Sequence, residues 1–229
     1  MKKIPLIEKD GWLAPHKGAI EATLTEYNDI LEELNDSHDG FINFCGNHHF
    51  FGLHEHNNGW VFREWAPNAS AIYLIGDFCD WKPNDTFRLQ QQDKGVWEIF
   101  VPASTLKHGD YYKLFVEWEF GSGFRIPAYA RRVIQDPQTL LFSAQVWMDD
   151  EKFEWTDDHF SYNSKHPIIY EAHIGMAQED EKVGSYREFT ENILPRIREA
   201  GYNVIQLMAI QEHPYYGSFG YHVSNFFAP

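Results

Sequence analysis

Between residues 168 and 210 the chain changes period twice, and this switch limits its architecture more than any other feature. Residues 168–174, IIYEAHI, form a short apolar run bounded by Pro167 and Gly175, the pattern of a buried strand. Ser185 and Glu188 make an S-x-x-E capping box ahead of Tyr186, Phe189, Ile193 and Ile197, which recur at helical spacing. Gly201 supplies a C-cap, and residues 203–210 read as a second buried strand. A strand, a helix and a strand with short returns form a βαβ unit, whose strands lie parallel and adjacent. A complete (β/α)8 barrel takes roughly 250 residues. The unit is therefore expected to be the first βαβ of a barrel that these 229 residues leave incomplete, with Val204, Leu207 and Ile174 uncovered.

Upstream, the period falls to two. The segments FFGLHEH, WVFREWAP, AIYLIGDF, VWEIFVP, YYKLFVEWEF and RRVIQD alternate apolar and polar residues. Turn residues such as Asn57-Asn58-Gly59 and His108-Gly109-Asp110 separate them. Short strands at this spacing predict an immunoglobulin-like β-sandwich. Before them, Ile20, Leu24, Tyr27, Leu31 and Leu34 mark an amphipathic helix. The expected fold is thus multidomain, β followed by α/β. A helical segment spans residues 1–39, a sandwich 40–147, an acidic linker 148–166 and the start of a barrel 167–229.

Composition narrows the partners. A net charge of −15 argues against nucleic acid and anionic membranes, which require Lys and Arg to neutralise phosphate. A neutral polysaccharide is indifferent to that charge, and eight Trp and twelve Tyr provide flat rings on which sugars stack. Aromatic-rich β cores have the same composition. Cys45 and Cys79 are too few for a disulfide framework and suit a reducing cytoplasm. The start, MKKIPLIEKDGW, lacks the apolar stretch of a signal peptide, and no run approaches membrane-spanning length. Histidines 48, 49, 54 and 56 lack zinc-ligand spacing, and DDEKFEWTDDHF lacks the glycine of a calcium loop, so neither is read as a metal site.

YEAHIGM, EDEKVGSY, LPRIREAGYN, IQLMAI and EHPYYGSFGYH, in register over residues 170–222, resemble the opening of the catalytic barrel in 1,4-α-glucan (glycogen or starch) branching enzymes of the α-amylase-like superfamily. GDFCDW, GVWEIFVP and RIPAYARRV resemble the amino-terminal carbohydrate-binding module of the same enzymes. Cys79 stands where Asn is usual in that turn. The resemblance implies an enzyme that cleaves an α-1,4-glucan and transfers the freed segment to a 6-hydroxyl with retention. It also implies that the catalytic carboxylates follow later strands, so no catalytic residue is assigned before Pro229, and that the chemistry needs no cofactor, neither metal nor nucleotide.

Substrate-binding candidates fall in three places. Trp81 follows a tight turn after a strand, where a large ring is more often exposed than buried. Read from the residues alone, an edge-of-core ring with Lys113 a solvated lysine is the better reading, since aromatics in sandwiches are usually core. The resemblance implies that Trp81 stacks on a glucose face and Lys113 donates to sugar hydroxyls. Trp65, Ala66 and Pro67, with residues 93–96, match segments near the family's glucan path, though a strand end and hairpin explain them as well. Tyr221 is implied to pack against the sugar at the cleaved bond, with His222 beside it. Trp60 and Trp97 are assigned to the core. Glu171 and His173 alternate on one strand face and are expected as structural hydrogen-bond partners. Two other functions fit the pattern: a glucan-binding targeting module, or a debranching or amylase-type hydrolase.

Overall fold

Residues Gly59–Trp65 and Val96–Pro102 set Trp60 opposite Val101, Phe62 opposite Ile99 and Glu64 opposite Trp97, so one face of the pair is apolar except at Glu64. In the computed structural model, which describes residues 4–38, 41–148, 153–162 and 166–229, that face closes one side of a sandwich. The chain divides into two units, Met1–Phe51 and Gly52–Pro229.

The first unit contains α1 (Pro5–Lys9), α2 (Lys17–His38) and α3 (Phe41–Cys45). α2 carries the helical spacing read between residues 20 and 34, and Lys17 pairs with Glu21 one turn on.

In the second unit, the described strands of one sheet run β1 (Gly52–His56), β2 (Gly59–Trp65), β5 (Val96–Pro102) and β4 (Gln90–Gln91). The facing sheet runs β3 (Ala69–Gly76), β6 (Tyr111–Trp118), β9 (Phe142–Gln145) and β8 (Val133–Gln135), with β7 (Gly121–Arg125) on the far half of β6. All pairs within the two sheets are antiparallel. Trp60, Phe62, Trp97 and Val101 from one sheet meet Ile72, Leu74, Tyr112 and Leu114 from the other. Each apolar side chain fully buried there contributes about 1.5–3 kcal/mol. Trp60 and Trp97 are in the core as expected, and the Trp97 indole donates to Ala66 O at 3.0 Å.

Glu64 points inward from β2. Its two carboxylate oxygens accept from Trp65 N at 3.1 Å and Ala128 N at 3.0 Å. Burial still raises its pKa against those two bonds, and burial also lifts the Tyr112 phenol far above its usual value, with Glu64 adding to it.

Within the segment assigned to a linker, residues 149–152 and 163–165 lie outside the described residues. Residues 153–162 form neither helix nor strand. β10 (Ile169–His173) and β11 (Val204–Met208) then pair in parallel, with Ile169 opposite Val204 and His173 opposite Met208. Between them Ser185 and Glu188 cap α4 (Tyr186–Glu188), and α5 (Leu194–Glu199) ends at Gly201, whose φ is +91°.

Three details differ from the sequence reading. The helix is not continuous α: Phe189–Ile193 takes π geometry, with Leu194 N bonding Phe189 O. Pro195, two residues into the following turn, has no N–H to give and crowds the carbonyl four residues before it. Apart from Ala172, the two strands are also not buried. Ile168, Ile169 and Leu207 are exposed, because within these residues the helix covers one face of a two-stranded sheet while parallel strands need cover on both. Ile174, expected to be uncovered, is buried with Ala172, Phe189 and Ile197.

Candidate functional site

β3 ends at Gly76, and the chain turns through Asp77–Cys79 so tightly that Asp80 and Trp81 both take left-handed backbone, φ +52° and +60°. Non-glycine residues in this region cost about 1–3 kcal/mol each and persist only where the surroundings hold them. Asp77 does much of the holding. Its Oδ1 accepts from the Trp81 indole N–H at 3.0 Å, and its Oδ2 accepts from Tyr111 N at 2.7 Å at the start of β6. Trp81 N also donates to Gly76 O at 3.1 Å. The Cys79 thiol accepts from Gly76 N at 3.3 Å, so it closes the turn in the place where the family resemblance expects Asn.

Lys113, on β6 opposite Ile75, sets its ammonium 5.8 Å from the centre of the Trp81 ring. Partial burial lowers the Lys113 pKa. The expected pair is therefore brought together: a ring locked by its own N–H and a donor poised above it. Trp81 is half-buried rather than freely exposed, since the turn folds it back onto the sheet.

Trp65, Ala66 and Pro67 lie at the end of β2, in the other sheet. Trp65 is 58 % exposed, and its indole donates to Lys94 O at 3.1 Å. Ala66 N bonds Gly95 O at 2.9 Å, and Ala66 packs on the core. Gly95 has φ +80°, and a Cβ there would come within 2.6 Å of Pro67, so this hairpin requires glycine. Strand-end packing accounts for Ala66 and Pro67, and only Trp65 offers a ring to solvent.

Tyr221 and His222 follow β11. Phe219 and Gly220 take left-handed backbone, and a Cβ on Gly220 would lie 2.8 Å from Ala209 O. His173, at the end of β10, reaches Phe219 O through Nε2 at 2.7 Å; a carbonyl only accepts, so Nε2 carries the proton. This loop presents Tyr221 at 62 % exposure, with its hydroxyl donating to Met208 Sδ at 3.0 Å. His222 is exposed beside it, and its N–H reaches Ser218 Oγ at 3.4 Å. Glu171 accepts from Gln206 Nε2 at 3.1 Å, tying β10 to β11, the structural role expected of it.

Residues 50–137 match carbohydrate-binding module 48 (Isoamylase N-terminal domain). The 1,4-alpha-glucan-branching enzyme of Rhizophagus irregularis is 40 % identical over 228 residues, which is 95 % of this chain and 33 % of that protein. Over nearly all of its residues the chain is similar to 1,4-α-glucan-branching enzymes. The chloroplastic/amyloplastic 1,4-alpha-glucan-branching enzyme 2-2 of Arabidopsis thaliana is 35 % identical over 98 % of this chain and 28 % of its own length. The chain thus spans about a third of the curated relatives it matches. Among solved structures, the pullulanase from Bacillus acidopullulyticus superposes with a TM-score of 0.61 at 21 % identity. It covers 78 % of this chain and 25 % of that one, a likeness of fold alone. Sequence reasoning singled out Trp81 and Lys113 but not Asp77, whose hydrogen bonds depend on Tyr111, 34 residues away.

Proposed function

We propose that residues 50–137 hold the protein on α-1,4-glucan through Trp81 and Lys113, and that the protein to which these residues belong is a 1,4-α-glucan-branching enzyme. Its reaction would move an α-1,4-linked segment to a 6-hydroxyl, making an α-1,6 branch. The observation that carries the binding assignment is the Trp81 ring, fixed by Asp77 with the Lys113 ammonium above it. A ring stacks on the apolar face of glucose while an ammonium donates to its hydroxyls, and neither requires a charged ligand.

In the same reading Tyr221 and His222 line the path of the reacting chain, and exposure of the Tyr221 ring supports this. Retaining glycosyl transfer takes two carboxyl groups about 5–5.5 Å apart, one as nucleophile and one as acid/base. Glu171 is engaged with Gln206 and is not a candidate for either role. These 229 residues alone are therefore expected to be inactive. No metal or nucleotide is required by this chemistry. Two free cysteines support a reducing location, which we take to be the cytoplasm. Among the described residues no helix is long and apolar enough to cross a membrane.

Retardation in glycogen-containing native gels tests the binding role. Trp81→Ala should migrate as in glycogen-free gels, and equal retardation of both proteins would remove Trp81 from the site. Iodine staining of amylose tests the rest, since branch formation by the 229 residues alone would contradict the assignment of the carboxylates elsewhere.

A further inference from the structure

A cavity of about 470 Å³ opens between β1, the outer strand of one sheet, and the end of β9 in the other. Trp81, Asp77 and Lys113 take no part in it: Lys113 leaves β6 on the outer face, Tyr112 on the inner.

The deep part of this cavity is lined by donors. Tyr112 is 3 % exposed and Trp60 8 %, and both line it. Among the described residues, neither the Tyr112 hydroxyl nor the Trp60 indole N–H has a hydrogen-bond partner. Folded proteins seldom leave groups so buried unmet. The phenol keeps its proton, because burial lifts its pKa far above the usual value. Arg131 Nη2 lies 3.3 Å from His54 Nδ1; a guanidinium only donates, so Nδ1 accepts and the imidazole proton sits on Nε2. Among the described residues no carboxylate pairs with Arg131, in a chain whose net charge is −15. The Gln145 side-chain oxygen is taken by Arg132 Nε at 2.9 Å. Two carboxylates lie near. Glu64 acts on Tyr112 but already accepts from two main-chain N–H groups, and Glu55 is exposed.

We infer that this cavity binds a phosphate group carried on a sugar, with Arg131, Tyr112 and Trp60 donating to the phosphate oxygens. A neutral sugar would need acceptors as well as donors, since each hydroxyl does both; a phosphate only accepts. Guanidinium is the side chain whose geometry best matches phosphate oxygens. The volume falls within the range of about 300–1,000 Å³ common to small-molecule sites and exceeds what a bare phosphate fills. Leu53, Trp147 and Met148 supply apolar wall for the sugar. Trp147 is fixed there, with the Arg132 guanidinium 4.1 Å and the His108 ring 4.6 Å from its ring centre. This site is independent of the reading of Trp81.

The probe is glucose 6-phosphate, titrated calorimetrically into the 229-residue chain, with inorganic phosphate and glucose as separate arms. Glucose 6-phosphate should bind, inorganic phosphate should compete more weakly, and glucose should leave the cavity untouched. The indole N–H resonance of Trp60 should shift with glucose 6-phosphate. Tyr112→Phe should weaken binding about tenfold or more, the loss of one hydrogen bond to a charged acceptor. Arg131→Gln should weaken it further and Arg131→Lys recover part, while Trp81→Ala changes nothing. Thermal melts confirm that each variant is folded; should Tyr112→Phe melt early, the exposed Arg131 and the Trp60 resonance of the unmutated chain decide. If inorganic phosphate binds as tightly as the sugar phosphate, the sugar's part is overturned. If glucose moves the Trp60 resonance as far as glucose 6-phosphate does, the cavity takes neutral sugar and the inference fails. It fails equally if the resonance stays put, or if Arg131→Gln binds like the parent chain.

Discussion

The side-chain amide of Asn225 donates to the main-chain carbonyl of Pro127 at 3.0 Å, across 98 residues of sequence. Asn225 is 7 % exposed, and two residues on the Phe227 ring stacks on Tyr129 with centres 4.4 Å apart. The loop that follows β11 is thereby fastened to the sandwich through the segment that also feeds Ala128 N to Glu64.

Replacing Asn225 with Ala should strand the Pro127 carbonyl without a donor. The expected loss is about 1–3 kcal/mol of stability, the cost of an unmet buried acceptor. Urea denaturation measures it, and hydrogen exchange should accelerate over residues 223–229. Unchanged stability and exchange would mean that water or another group meets the carbonyl equally well.

Cys79 offers a finer test of the turn that presents Trp81. Its thiol accepts from Gly76 N, the bond that closes the loop leading to Trp81. Cys79→Ala removes the acceptor and should cost about 0.5–1.5 kcal/mol while weakening retardation by glycogen. Cys79→Asn restores an acceptor of the kind the family resemblance expects, and should match or exceed the parent chain in melting temperature. If Ala and Asn behave alike, the thiol contributes nothing to the turn.

Acid should loosen the helix cap of the βαβ unit. The Lys182 ammonium, followed by the Ser185 N–H and hydroxyl, lowers the Glu188 pKa from its ordinary 4.5 to about 2. A carboxyl depressed by folding contributes stability that is complete above the unfolded value and lost as pH falls through the folded one. Helix capping should therefore weaken between about pH 4.5 and pH 2, and Glu188→Gln should flatten that dependence. Amide exchange of residues 185–199, followed across this range, checks it. An identical acid response in the Gln variant would assign the loss to other groups.

Much of this was legible in the residues because the signals were local. Ser185, Glu188 and Gly201 mark their helix ends by chemistry confined to a few neighbouring positions, and the structure places each as read. Trp81 and Lys113 were legible as a pair through the family motif. The missing pieces depend on distant partners. β7, GSGFR, has little strand-forming character and exists through its register with β6, from Leu114 opposite Arg125 to Trp118 opposite Gly121. Asp77 reads as a turn acid until Tyr111 is placed beside it. The π turn had a visible cause in Pro195, but propensity alone cannot say whether proline ends a helix or merely widens one turn.

Ala228, near the last residue of the chain, is 1 % exposed and lies inside the sandwich core with Phe62 and Leu114. The match to the binding module ends at residue 137, short of Ala144, Val146 and Ala228, all of which fill that interior. The stretch matched as the module is thus shorter than what must fold together. Excising the module at residue 137 or 147 would leave a hole where the Ala228 methyl group sits. The stretch that carries Trp81 and the stretch that carries Tyr221 would each lose the same keystone.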